Sequence, residues 1–128
     1  MTRAFLSALA LLGLLAAPAA AQPNLQGSRE SCVANNGLFV ASARIRVSLL
    51  EDGRNRIGPL LMQLETPVLR QGQRYCFTVQ RDAIVQVRFR HHNGFVWVED
   101  SCGMAFNGYD SGAAIWGTTF NVSCGGLG

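Results

Sequence analysis

Lysine is absent from this chain, histidine occurs twice, and the cysteine spacings of common metal and haem sites are missing. All 11 basic residues are arginine, and they stand against 8 acidic residues. This small excess of positive charge does not give the strong basic stripe of a typical nucleic-acid-binding protein. The bias toward arginine and alanine is typical of a GC-rich bacterial genome. We therefore expect a bacterial protein without a nucleic-acid partner.

The metal-binding and haem-binding residue types also lack the required spacing. No two cysteines form a C-x-x-C pair, which argues against a zinc site, and no C-x-x-C-H segment is present for covalent haem. Adjacent residues of an extended chain point in opposite directions, so His91 and His92 cannot easily share one metal. We expect both histidines to be solvent-facing residues at a loop tip. The sequence therefore predicts no metal, no cofactor and no catalytic residue.

Residues 1–21 have the three parts of a cleavable secretory signal peptide. Arg3 lies near the start, an apolar run extends from Ala4 to Ala17, and small residues precede Gln22. The run is shorter than the about twenty residues that a membrane-spanning helix needs, which favours cleavage. Cys32 does not follow the cleavage site directly, as a lipoprotein signal would require. We expect a free domain in the periplasm or outside the cell, without membrane insertion.

Four cysteines in an exported chain of this size predict two disulfides. Sequence alone does not separate the three pairings that four cysteines allow. We favour Cys32 with Cys124, which would tie the ends of the domain together, and Cys76 with Cys102, which would staple the central hairpin.

Apolar and polar residues alternate along most of the chain after the signal peptide, as in half-buried strands. The clearest run extends from Leu38 to Leu50, and turn residues follow at 51–55. Further strands are predicted at 57–65, 75–80, 85–90, 95–99 and 114–122. Sustained helical periodicity is absent. The pattern predicts an all-β fold: a small antiparallel β-sandwich, stapled by disulfides, after a cleaved signal peptide.

The predicted organisation after the signal peptide is a single domain with one modest core. A polar lead-in at 22–30 precedes the β-sandwich at 31–124, and a tail follows at 125–128. The segment from Gly103 to Gly112 is rich in glycine and asparagine, and we expect a mobile surface loop there.

The Asn93-Gly94 pair between two alternating runs is the strongest hairpin signal in the chain. If Arg90 pairs with Phe95 across a tight hairpin, one outer face carries Arg88, Arg90, Phe95 and Trp97. Exposed aromatic rings beside guanidinium groups bind sugars, anionic glycans or protein partners. The alternative is that the rings pack under a loop while the arginines form a solvated face.

Two further arginines, Arg44 and Arg46, would add charge to this face if their strand belongs to the same sheet. The leading hypothesis is a non-enzymatic exported domain that binds a cell-envelope or extracellular ligand, either glycan or protein. It depends on the arginine and aromatic face, and full burial of Trp97 would remove its chief support.

Two other functions stay open from the sequence. One is a small secreted inhibitor of a hydrolase, which would insert the 103–112 loop into an active site. The other is an enzyme of unknown class, which would need a cleft that holds His91 or His92 against an acidic residue.

Overall fold

A computed structural model describes residues 27–51, 56–108 and 110–127 of the chain. The predicted signal peptide, most of the predicted lead-in and residues 52–55 of the turn predicted at 51–55 lie outside the described residues. No helix within the described ranges is long and apolar enough to cross a bilayer.

Eight strands make up most of the described chain. They are β1 (Ser28–Asn35), β2 (Ala41–Glu51), β3 (Arg56–Glu65), β4 (Arg74–Gln80), β5 (Ala83–His92), β6 (Trp97–Asn107), β7 (Gly112–Thr118) and β8 (Asn121–Gly126).

The strands form two sheets of four strands each. The first sheet has the order β4-β1-β7-β8, and the second has the order β3-β2-β5-β6. Neighbouring strands are antiparallel except for β1 and β7, which run parallel. The predicted all-β sandwich is therefore confirmed, with one parallel pair that the alternation of residues did not indicate.

The core lies between the two sheets and is built by the period-two alternation of the strands. In β5, Val85, Val87 and Phe89 point inward and are at most 1% exposed. In β2, Ile45 and Val47 also point inward, directly opposite Val87 and Val85, and are at most 3% exposed. The alternate positions of both strands then lie on the outer face of the second sheet, where Arg44, Arg46 and Arg88 are exposed while Ser42 and Ser48 are buried.

Two disulfides are present, as predicted, but the predicted pairing is wrong. Cys32 is bonded to Cys76, and Cys102 is bonded to Cys124. The sheet order explains the difference, because β1 lies directly beside β4 and places Cys32 opposite Cys76. Cys124 lies on β8, which β7 separates from β1, and it instead links the first sheet to β6 of the second.

The predicted mobile loop at 103–112 is also wrong, because residues 103–107 belong to β6 and Gly112 begins β7. At Gly103, a Cβ atom would lie 2.9 Å from the carbonyl oxygen of Val87. The glycine therefore permits close approach of two strands, and it does not indicate a flexible segment.

Strand boundaries differ from the predicted ones at both ends of the domain. The single strand predicted at 114–122 is two strands, β7 and β8, joined by a turn at 119–120. The first strand begins at Ser28, inside the predicted lead-in, and β8 extends to Gly126, inside the predicted tail.

Candidate functional site

Arginines from two adjacent strands converge on the outer face of the second sheet. Arg44 of β2 lies directly opposite Arg88 of β5, and Arg46 lies opposite Gln86. These four side chains, which we call the arginine cluster, line a depression of about 190 Å³. The described residues that line it include no acid. Arg44 and Arg46 therefore share a sheet with Arg88, which was the condition for them to add charge to this face.

Acidic and amide side chains lie at the margins of the arginine cluster. Nη1 of Arg46 donates to Oε1 of Gln63 over 2.8 Å. Because an amide is uncharged, this contact does not neutralise the charge of Arg46. Nη2 of Arg44 is 3.4 Å from Oε2 of Glu65. Nη1 of Arg88 is 3.7 Å from Oδ1 of Asp100, and both side chains are about two-thirds exposed. Exposed ion pairs of this kind contribute little stability, so an anionic ligand can displace their carboxylates.

Arg90 differs from the cluster because its guanidinium is held on three sides. Nε donates to Oγ of Ser42 over 2.8 Å, and Nη1 donates to Oε2 of Glu99 over 3.3 Å. Cζ lies 4.3 Å from the centroid of the Trp97 ring, a distance suited to a cation–π contact. These contacts make Arg90 a half-buried border of the face.

The two predicted aromatic residues lie in different places. Trp97 is half-buried, stands opposite His92 in the sheet, and meets its ring edge-on with centroids 5.5 Å apart. Phe95 lies outside the strands in the loop at 93–96 and is 82% exposed. The predicted pairing of Arg90 with Phe95 is wrong. Of the four predicted ligand-binding residues, Arg90 contacts Trp97 and lines a common depression with Arg88, whereas Phe95 lies in the loop at 93–96.

The register differs from the prediction because the hairpin closes at His92 opposite Trp97, which leaves 93–96 as its loop, and β6 also contains a bulge. The pairing passes from Phe89 opposite Cys102 to His91 opposite Val98, so extra residues of β6 stand opposite Arg90. Asp100 in this bulge has a positive φ of 51°. The bulge brings Glu99 to Arg90 and Asp100 to Arg88, an arrangement that sequence reasoning missed. The adjacent acids Glu99 and Asp100 interrupt the apolar alternation of the strand, and this interruption was the one sign of the bulge in the sequence.

His91 was predicted at a loop tip, and this is wrong because β5 continues through His92. Its ring is 4% exposed and lies 4.9 Å from the ring of Phe39, centroid to centroid. Nε2 is 2.8 Å from the carbonyl oxygen of Thr119, and Nδ1 is 2.6 Å from Oγ of Ser101. A carbonyl only accepts, so Nε2 donates to Thr119, and the Ser101 hydroxyl beside Nδ1 donates to the carbonyl oxygen of Val98 over 2.8 Å. The histidine ties together β5, β6 and the turn at 119–120.

One group of potential metal ligands occurs among the described residues, formed by Glu30, Cys32 and Cys76. The two cysteine sulfurs are bonded to each other, so neither is a thiolate that could hold a metal.

The hydrolase-inhibitor alternative depended on a long loop at 103–112. Its described residues outside strands are 108, 110 and 111, and a short turn is closed where the Asp110 amide donates to the carbonyl oxygen of Asn107 over 3.0 Å. So short a turn does not offer the extended segment that the alternative required.

No protein-family model matches the chain, and no curated protein matches it. Solved structures of larger proteins share its fold. The cytotoxin suilysin from Streptococcus suis has a TM-score of 0.53 and 15% identity, over 79% of this chain and 23% of that one. Listeriolysin O gives 0.54 and 13%, over 78% and 22% of the two chains. Pneumolysin, a sugar-binding protein, gives 0.52 and 13%, over 78% and 23%.

The chain therefore spans less than a quarter of the length of these proteins. At such low identity, the likeness shows a shared β-sandwich fold and assigns no function to individual residues.

Proposed function

We propose that this protein is a non-enzymatic exported domain that binds an anionic glycan through the arginine cluster. The observation that carries the proposal is the convergence of Arg44, Arg46 and Arg88 on one depression whose described lining includes no acid. Guanidinium groups bind sulfate and carboxylate groups in bidentate geometry, and this gives both strength and orientation.

The shape of the surface favours a glycan over a protein partner. A second depression of about 310 Å³ adjoins the arginine cluster, and Gln86, Arg88 and Gly103 contribute to its lining. Because Gly103 has no side chain, the outer face stays open beside Arg88. The two depressions share Gln86 and Arg88, so they form one trough across β2, β5 and β6. Protein interfaces instead often centre on aromatic anchors, and the described lining of this trough includes the apolar residues Val87, Met104 and Ala105 but no aromatic side chain.

Two further observations support the proposal. Disulfides persist in oxidising compartments such as the periplasm and the extracellular space, where glycans are abundant ligands. The chain also shares its fold with part of the sugar-binding protein pneumolysin, which makes a sugar-binding role compatible with the scaffold.

The contacts of His91 do not favour an enzyme. Its ring contacts a hydroxyl and a carbonyl, whereas a catalytic role would need an acidic partner for it.

Loss of charge from the arginine cluster is expected to weaken glycan binding strongly. In the Arg44→Gln, Arg88→Gln variant, two charged donors become shorter neutral amides, while both strands keep a polar side chain at each position. Each lost charge-assisted hydrogen bond is worth about 1.5–3 kcal/mol, so affinity should fall about a hundredfold or more. Isothermal titration with sulfated and uronic-acid oligosaccharides, beside neutral counterparts, measures the effect.

Arg74→Gln is the matched control, since Arg74 is an exposed arginine on the first sheet. It makes the same change of residue type away from the trough and should bind like the wild type. Binding should also weaken as salt is added, because exposed charges are screened. The proposal is wrong if the double variant binds as tightly as the control, or if neutral and anionic oligosaccharides bind equally.

A further inference from the structure

Four loops lie side by side at one end of the sandwich. They are 36–40, 66–73, 93–96 and 119–120. The Leu38 amide donates to the carbonyl oxygen of Gly117 over 3.0 Å, which joins the first loop to the end of β7. The His92 amide donates to the carbonyl oxygen of Val40 over 3.0 Å, at the start of the third loop. We call these four loops the apolar end.

The apolar end exposes large hydrophobic side chains on every loop. Their exposed fractions are 63% for Leu38, 51% for Val68, 82% for Phe95, 59% for Val96 and 77% for Phe120. Arg70 is the one charged residue in the four loops, and they contain no acid. Two turns lie at the opposite end of the sandwich, and they contain Asp82 and Asp110. Their described residues are 81–82, 108 and 110–111. The two ends therefore differ sharply in chemistry.

Buried polar side chains hold the loops in place. Asn35 is fully buried, and its Nδ2 donates to the carbonyl oxygens of Phe39 over 2.6 Å and Leu69 over 2.9 Å. Its Oδ1 accepts from the Gly37 amide over 2.9 Å. His91 holds the carbonyl of Thr119 in the same way. Because the loops are fixed, their apolar side chains cannot collapse onto the domain.

We propose that the apolar end docks on a lipid bilayer, with these side chains in the headgroup region. Apolar residues on separate loops suit a fluid interface, which accommodates each side chain independently. A folded protein partner would need a matching pit for each of them. The absence of acids avoids repulsion from anionic lipids, and Arg70 adds attraction to them. This differs from the expectation of no membrane insertion, although only side chains would enter the bilayer.

The proposal is independent of the arginine cluster, which lies on a sheet face and would stay open to a glycan. Co-sedimentation of the oxidised protein with vesicles of phosphatidylcholine and phosphatidylglycerol tests it. The Phe95→Ser, Phe120→Ser variant should lose about tenfold or more in partitioning, because two exposed rings no longer leave water. Leu60→Ser, Leu61→Ser is the control, since both leucines are 46% exposed on edge strand β3, away from the loops.

Binding of the wild type should persist in high salt, and the control should bind like the wild type. A second measurement uses Phe120→Trp, whose emission should be quenched by brominated lipids more strongly than that of the wild type. Three results would each overturn the proposal. The first is that the wild type does not sediment with vesicles, and the second is that the serine variant binds vesicles as well as the wild type. The third is that the serine variant differs from the wild type only in having lost self-association.

Discussion

Reduction of both disulfides is expected to unfold most of the protein at room temperature. The bonds join residues 44 apart for Cys32–Cys76 and 22 apart for Cys102–Cys124. Loop-closure entropy assigns about 4 kcal/mol to the first and about 3 kcal/mol to the second. Their sum, about 7 kcal/mol, is comparable with the whole free energy of unfolding of a small domain, about 5–15 kcal/mol.

Urea unfolding followed by circular dichroism, with and without a reductant, measures this effect. Replacing the first pair of cysteines by alanine should lower the midpoint slightly more than replacing the second. The alanine pairs also serve as controls for the connectivity, because each should leave the other disulfide intact in a peptide map. A reduced protein with an unchanged urea midpoint would contradict the stabilising role of the disulfides.

Phe89→Ala is expected to lower the free energy of unfolding by about 3–5 kcal/mol. The side chain is 1% exposed in the middle of the core, opposite Cys102 on β6. Its removal leaves a cavity between two sheets whose backbones are fixed by hydrogen bonds, so the core cannot close around it. Thermal and urea unfolding of the purified variant give the value.

Phe95→Ala is the matched control for this substitution, since Phe95 is 82% exposed. The same change of residue type should alter the free energy of unfolding by no more than about 0.5 kcal/mol. Similar losses for the two variants would contradict the placement of Phe89 in the core and of Phe95 at a loop tip.

The strands that could be predicted are those in which one face is buried and the other is solvated. In β2 and β5 this alternation correctly placed Ile45 and Phe89 inside and Arg44 and Arg88 outside, although Ser42 and Ser48 of the outer face are buried. Because side-chain direction in a strand follows directly from a period of two, no knowledge of the partner strands is needed.

Features that depend on strand partners could not be predicted. The disulfide pairing follows from the order β4-β1-β7-β8, and local alternation carries no information about that order. The break between β7 and β8 at 119–120 lacks the glycine or proline that marks most turns, although Gly117 just before it has a φ of 113°. At Gly103, a residue that usually indicates a loop instead allows two backbones to approach closely.

Only part of the candidate site could be predicted, because some of its residues depend on one strand and others on the pairing of two strands. The arginines followed from alternation within each strand, whereas the placement of Phe95 required the register between β5 and β6. The hairpin closes at His92 opposite Trp97, and this leaves Phe95 in the loop at 93–96. The trough beside Arg88 also needed both neighbouring strands, because Gly103 of β6 opens it.

The most direct test of the arginine cluster as a glycan site is a nuclear magnetic resonance titration. The oxidised, isotopically labelled protein would be titrated with a sulfated oligosaccharide while backbone amide and arginine Nε signals are followed. We expect saturable shifts at Arg44, Arg46, Gln86, Arg88 and Gly103, with Arg74 unchanged. Saturable shifts confined to other surfaces, or none at all, would contradict the assignment of this face as the binding site.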